Sequence, residues 1–171
     1  MKWLARIFGF LLLVIVLLLA FGFMLPAHHK LTRTITLKRS PDAVFAVLAD
    51  LPNMPAWNHA LTRVEMLTPI DGKEASRQTL DGHMVMTIVT SESIPPTRLV
   101  RTVAETSAPF SGSWIYEISA TANGSQVALT EDSTVPNPIF RLLVKISGPA
   151  KYLDEHLVDL GKHFGETVTP Q

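Results

Sequence analysis

The chain is 171 residues long, with 15 Lys and Arg against 15 Asp and Glu, and it has no cysteine. That length suits one domain plus an appendage, and the missing cysteines exclude a disulfide framework, a thiolate zinc site and a cysteine nucleophile. Residues 1–41 carry six bases and no acid while residues 42–171 hold 9 bases and 15 acids, and a mildly acidic body argues against a nucleic-acid partner.

One segment raises the mean hydropathy to +0.24. Residues 7–25 contain neither a charged nor a polar side chain. At ~1.5 Å per residue, a helix of that length comes close to spanning the ~30 Å hydrocarbon core of a bilayer. The run exceeds the apolar region of a secretory signal, and Leu25-Pro26-Ala27 lacks a small-x-small cleavage pattern. Residues 1–29 therefore read as a retained transmembrane anchor and residues 30–171 as the domain it carries. Lys2 and Arg6 precede the span, and Lys30, Arg33, Lys38 and Arg39 follow it. Long downstream domains translocate largely regardless of such charges, so the expectation is a single-pass protein whose body faces outward.

Residues 30–39 alternate apolar and polar side chains, which predicts a strand. Ser40-Pro41-Asp42 then supplies an N-cap, a first-turn proline and a first-turn acid. A helix follows, with Val44, Phe45, Val47 and Leu48 as its apolar stripe. Pro52 and Pro55 permit only a short second helix or turn before Trp57. Residues 61–67, 76–80, 84–90, 98–105, 113–120 and 126–134 are rich in strand formers. Asp71-Gly72, Asp81-Gly82, Pro95-Pro96, residues 109–112 and Asn123-Gly124 separate them, at the spacing of an antiparallel meander. Asn123-Gly124 is the strongest tight-hairpin signal, because both residue types tolerate positive φ. Phe140, Leu143, Val144 and Ser147 then recur at helical spacing. Gly148-Pro149 breaks that run, and Leu153, Leu157, Leu160 and Phe164 form the stripe of a final amphipathic helix.

The order predicts an α+β domain: a seven-stranded curved antiparallel sheet around a long C-terminal helix, with two short helices after the first strand. A twisted sheet of that width curls, and one helix ~10–12 Å across leaves part of its concave side open. Bulky side chains, water or an apolar ligand must occupy the remainder.

Residues 40–57, SPDAVFAVLADLPNMPAW, resemble the opening of START-like domains, the superfamily also called SRPBCC. It includes polyketide cyclase/dehydrase and lipid-transport proteins. The resembling features are Ser40-Pro41, Val44-Phe45, Asp50 and Trp57, then the Trp-Tyr strand, glycine turn and Thr-Glu strand of residues 111–135, and the Gly148-Pro149 start of the last helix. The resemblance covers about residues 30–166, and its motifs are structural rather than catalytic. It implies a helix-grip fold with an apolar cavity between sheet and final helix, and some relatives are described as cyclases or dehydratases.

No nucleophile elbow, dinucleotide fingerprint, phosphate-binding loop or metalloprotease motif is present, so no cofactor is called for. His28 and His29 fall at the membrane exit, and His59 and His83 follow turn-like segments. His156 and His163 lie two helical turns apart, too far to share an ion, so no metal site is expected. Arg101, Glu117, Glu131 and Asp132 sit in strands, where charged residues ordinarily face solvent. A carboxylate turned inward would have its pKa raised by desolvation and would suit proton transfer.

The apolar constellation is richer. Met84, Met86 and Ile88 share one face of their strand, as do Trp114, Tyr116 and Ile118 of theirs. With Trp57, Phe140, Leu153 and Leu157 they form the candidate ligand-binding wall, in which methionine adapts to varied guests and Trp or Tyr adds a polar handle. The expected function is membrane-tethered binding of a lipid-like or aromatic hydrophobic small molecule. A cyclase/dehydratase-like enzyme and a structural membrane accessory are the alternatives. The basic stretch Lys30, Arg33, Lys38 and Arg39 would hold the domain near anionic headgroups, at ~1 kcal/mol per base.

Overall fold

A computed structural model describes residues 2–106 and 110–171. The chain runs through α1 (Lys2–Met24), β1 (His28–Leu37), α2 (Pro41–Ala49), a 3₁₀ helix (Leu51–Ala56), β2 (Leu61–Met66) and β3 (Ala75–Leu80). It continues through β4 (Met84–Ile94), β5 (Arg98–Thr106), β6 (Ser111–Thr121), β7 (Gly124–Thr134), α3 (Pro138–Ser147) and α4 (Lys151–His163). All seven strands form one antiparallel sheet in the order β1-β7-β6-β5-β4-β3-β2. The meander thus runs in chain order from β2 to β7, and β1 closes it beside β7. This is the α+β, helix-grip arrangement that the order of elements predicts.

Local chemistry explains the element ends. Ser40 Oγ accepts the Ala43 N–H at 3.4 Å and Pro41 opens α2. Asn137 Oδ1 likewise accepts the Ile139 N–H at 2.9 Å, with Pro138 opening α3. Asp71-Gly72 and Asp81-Gly82 both take left-handed φ at both positions, the geometry of the type I′ hairpin. The His83 N–H closes the second of these turns on the Leu80 carbonyl at 3.1 Å.

Asn123-Gly124 behaves differently from its prediction. Thr121 pairs with Gly124, so the loop is Ala122-Asn123 and Asn123 keeps negative φ. Glycine is required at 124 because a Cβ there would collide with the carbonyl oxygen of Leu37 on β1. The predicted turn over residues 109–112 begins outside the described residues. Two further differences concern length. β1 starts at His28, and β4 extends to Ile94 by way of a bulge between Thr90 and Glu92.

The core lies between the concave sheet face and α4. Leu153, Leu157 and Leu160 of α4 are fully buried against Leu37, Val127, Leu129 and Ile35 of β1 and β7. Val44, Phe45 and Leu48 of α2, with Leu51, Met54 and Trp57, close the other end. The closing helical run is two helices: Gly148, at φ +93°, ends α3, and α4 alone occupies the grip. No residue of α3 is buried, and this helix packs beside α1 instead.

α1 is 23 residues long, has a mean hydropathy of 3.0 over its most apolar stretch and is almost entirely exposed. Gly22 lies against the body, where a side chain would strike the carbonyl of Pro138 in α3. Arg141 of α3 ties the junction, donating to the carbonyls of Leu25 (3.2 Å), Val135 (2.7 Å) and Pro136 (2.7 Å).

Candidate functional site

The sheet interior is mostly filled. Trp57, Met86, Ile88, Tyr116, Ile118, Leu153 and Leu157 are buried in one apolar core. A cavity of about 20 Å³ remains there, room for about one water-sized group. Met86, Ile88, Trp114 and Tyr116 line it, together with Arg101 and Gln78. Trp57, Ile118, Leu153 and Leu157 pack around the region without lining this cavity. Phe140 stands apart from the other candidates, 39% exposed on α3.

A groove of about 340 Å³ opens where the sheet meets the corner between α3 and α4. Its apolar wall is built by Met84, Phe110, Trp114, Val135, Val144 and Pro149. Leu80, Trp114 and Tyr152 line both the groove and the small interior cavity. A further pocket of about 100 Å³ shares His29, Val135, Val144 and Pro149 with the groove and continues to Leu25 and Pro26, just past the end of α1. Apolar concave surface therefore runs from the end of α1 to the wall of the core. An adjoining open groove of about 500 Å³ shares Ala60, Asp81, Tyr152 and Glu155 with the first and adds Asp154 and Asp159. Both grooves carry carboxylates, but this one lacks the apolar wall of the first and so suits an apolar guest poorly.

Arg101 overturns the expectation that these strand charges face solvent, being only 3% exposed. Strand alternation puts it on the same face as Leu99, which is buried, and that parity was the available signal. Its Nη2 donates to the Leu48 carbonyl at 2.6 Å and its Nη1 lies 3.0 Å from the Met54 sulfur. Among the described residues no carboxylate forms an ion pair with it. Burial pulls its pKa below the ordinary value, against the opposing influence of Tyr116 and Glu74. An arginine starts high enough to stay charged at neutral pH all the same.

Beside it lies a buried polar chain. Asn58 Oδ1 accepts the Ala60 N–H at 3.2 Å, which leaves the amide of Asn58 to donate to His156 Nδ1 at 3.1 Å. The His156 proton therefore sits on Nε2, where it is donated to the Tyr116 oxygen at 3.1 Å. Desolvation lowers the His156 pKa to about 4, with Arg101 adding to the effect. Desolvation likewise raises the Tyr116 pKa to about 12, so imidazole and phenol are both neutral at physiological pH. Tyr152 packs its ring 6.1 Å from that of His156 and 5.9 Å from that of Trp114. Asn58 and Tyr152 carry no motif, and only the fold reveals their part in the site.

The carboxylates divide. Glu117 is exposed and bound to Arg98 at 2.8 Å. Asp132 meets His28 at 2.8 Å and Lys30 at 3.6 Å on the outer face. Glu131 lines the groove, its side chain 17% exposed and 3.0 Å from His29 Nε2. Ser133 Oγ lies 3.1 Å from the same nitrogen and 3.4 Å from Nδ1, and it donates to Glu131 at 3.0 Å. A Ser-His-acid relay needs serine and acid on opposite ring nitrogens, with the serine proton given to the imidazole. Here the acid and the shorter serine contact both meet Nε2 and the serine donates to Glu131, so the cluster is a hydrogen-bonded knot rather than an activated nucleophile.

The basic stretch after α1 is largely engaged within the domain. Arg33 meets Asp154 at 3.0 Å, Arg39 meets Glu166 at 3.9 Å, and Lys30 is held as above. The element that faces outward is α3. Ile139, Leu143 and Ile146, at i, i+4 and i+7, are 52%, 53% and 73% exposed, while Val144 and Ser147 of the same helix line the groove.

A family model described as "Polyketide cyclase / dehydrase and lipid transport" matches residues 28–164. Among solved structures, the Zhui aromatase/cyclase from Streptomyces sp. R1128 is similar, with a TM-score of 0.67 and 17% identity over 78% of this chain and 91% of that one. A START superfamily protein from Mycobacterium smegmatis has a TM-score of 0.61 and 16% identity over 75% of this chain and 94% of that one. The di-domain aromatase/cyclase StfQ of the steffimycin biosynthetic pathway has a TM-score of 0.65 and 10% identity, over 78% of this chain and 50% of that one. At these identities the structural likenesses establish the fold alone. No curated protein sequence matches the chain.

Proposed function

The chain belongs to the polyketide cyclase / dehydrase and lipid transport family, and we propose that it is a membrane-tethered binder of a lipid-like or aromatic hydrophobic molecule. The observation that carries this reading is the groove of about 340 Å³, walled by apolar side chains and bordered by α3. Its position beside the end of α1 gives an apolar molecule a path from a bilayer to the domain without crossing water. Such a transfer keeps apolar surface covered, at ~25 cal/mol for each Å² that would otherwise be exposed. α1 then serves as the anchor, and the body stands on the outer side of the membrane.

Native mass spectrometry of the full chain released from detergent tests the binding. The expected result is a bound adduct of lipid-like mass that exchanges with added apolar ligand. Repeated recovery of ligand-free protein with no exchange would overturn the reading. A reporter fused after Gln171 tests the orientation and should be active outside the cytoplasm.

A second reading, catalysis of the cyclase or dehydratase type, is favoured by one arrangement. Tyr116, held by His156, lines the same small cavity as Arg101. A phenol beside a fixed cation is suited to stabilising a developing enolate. Turnover of an aromatisable polyketide mimic, lost in Tyr116→Phe with the fold intact, is the outcome that would move the function from binding to catalysis.

A further inference from the structure

Arg101 and Trp114 are direct cross-strand partners on β5 and β6. Both line the cavity of about 20 Å³. Arg101 Nε and Trp114 Nε1 are both buried, and neither has an acceptor among the described residues. A third donor adjoins them: the Tyr116 oxygen takes the proton of His156, leaving the phenol's own proton to be given elsewhere. This corner of the core is therefore rich in donors and carries an uncompensated positive charge. A buried donor without an acceptor is costly, and a buried cation without a counter-charge is costlier still.

We infer that the ligand of this protein is an apolar acid whose carboxylate places one oxygen against Arg101 Nε and Trp114 Nε1. Three properties select a carboxylate over a neutral head. It is acceptor-only when ionised, so it meets the donors without adding one. It supplies the counter-charge that Arg101 lacks, and charge-assisted bonds of this kind are about twice as strong as neutral ones. One oxygen is also the size that the cavity admits. Leu80, Trp114 and Tyr152 wall both the cavity and the groove, so the groove, with its apolar wall, is the adjoining space for the tail of the same molecule.

The inference rests on the binding function proposed above, and the test separates the two. Full-length protein in nanodiscs is titrated with dodecanoate and with dodecanol at neutral pH, and partition into empty nanodiscs is subtracted. Dodecanoate should bind at least about tenfold more tightly, the scale of one charge-assisted hydrogen bond. Arg101→Gln should abolish most of that preference. Trp114→Phe keeps the ring and removes only the N–H, so it should reduce dodecanoate affinity by a smaller factor, and it stands as the test if Arg101→Gln does not fold. Equal affinity of the unaltered protein for the acid and the alcohol would overturn the acid assignment and leave apolar binding standing. Failure of both probes to bind would overturn both.

Discussion

Asn58 and His156, 98 residues apart in the chain, are joined by a hydrogen bond of 3.1 Å between the Asn58 amide and His156 Nδ1. Both side chains are buried. The contact ties the end of the 3₁₀ segment to α4, and through Tyr116 it reaches the middle of the sheet. It also fixes the imidazole as the neutral Nε2–H tautomer, so the core beside Arg101 holds no second cation.

Acid should therefore weaken the fold through His156. Its folded pKa is about 4 against an unperturbed ~6.5, so the unfolded chain takes up the proton first. The stabilisation is fully present above about pH 6.5, and on the order of 3 kcal/mol of it is lost as pH falls toward 4. Urea unfolding at pH 7 and pH 4.5 reads this directly. In His156→Leu the pH dependence over that interval should flatten, although the variant starts about 1–3 kcal/mol less stable because Asn58 loses its acceptor.

Met86→Trp distinguishes a filled core from an open one. Met86 is 1% exposed and adjoins a cavity of only about 20 Å³, too little for an indole. The substitution should cost about 1–3 kcal/mol by overpacking, seen as a lower melting temperature. Val85→Thr, on the outer face of the same strand and 39% exposed, should leave melting nearly unchanged. A Met86→Trp protein as stable as the parent would mean the interior is roomier than its packing indicates.

At the β6–β7 hairpin, Gly124→Ala should be costly although the residue sits in a surface turn. The added methyl meets the Leu37 carbonyl on β1, so either β1 moves off the sheet edge or the turn distorts. A loss of about 2 kcal/mol is the expected scale for such enforced strain, measured as a shift in urea midpoint. Gly72→Ala meets no neighbouring atom at its Cβ and suffers only the left-handed φ, so it should cost about 1 kcal/mol.

The outer face of α3 should contribute to membrane contact in its own right. A fragment of residues 25–171 retains every strand and α2 to α4, and is expected to fold. Its Ile139, Leu143 and Ile146 stripe should give it measurable affinity for lipid vesicles, in the manner of an interfacial amphipathic helix. Leu143→Ser with Ile146→Ser removes apolar side chains that are already exposed, so vesicle co-sedimentation should fall several-fold with melting unchanged. Failure of the unaltered fragment to sediment with vesicles would assign the membrane contact to α1 alone.

Much of the architecture is written locally. The apolar span of residues 7–25, the Ser40-Pro41 cap and the alternation in each strand act over a few residues. Their consequences are therefore legible before any folding: one long apolar helix, seven strands and a closing amphipathic helix. The Asp-Gly turns belong to the same class, since the left-handed φ at Asp71 and Asp81 is a local preference.

What tertiary structure decided is who meets whom. The gap at 124 belongs to Leu37, a contact that exists only because β1 pairs with β7, so the Asn-Gly signal pointed to a turn but not to its register. Phe140 and Leu153 look alike as helical apolar positions, yet the Gly148 break leaves one on the helix beside α1 and sends the other into the grip. The inward turn of Arg101 could be read from its parity with Leu99. That its Nε and the Trp114 indole adjoin one cavity and find no partner among the described residues depends on the β5–β6 register and on the helices that close over it. Periodicity specifies which face a side chain occupies, whereas the polar chemistry of an enclosed site arises from contacts between strands and helices distant in the chain, and those are set only when the sheet curls and the core closes.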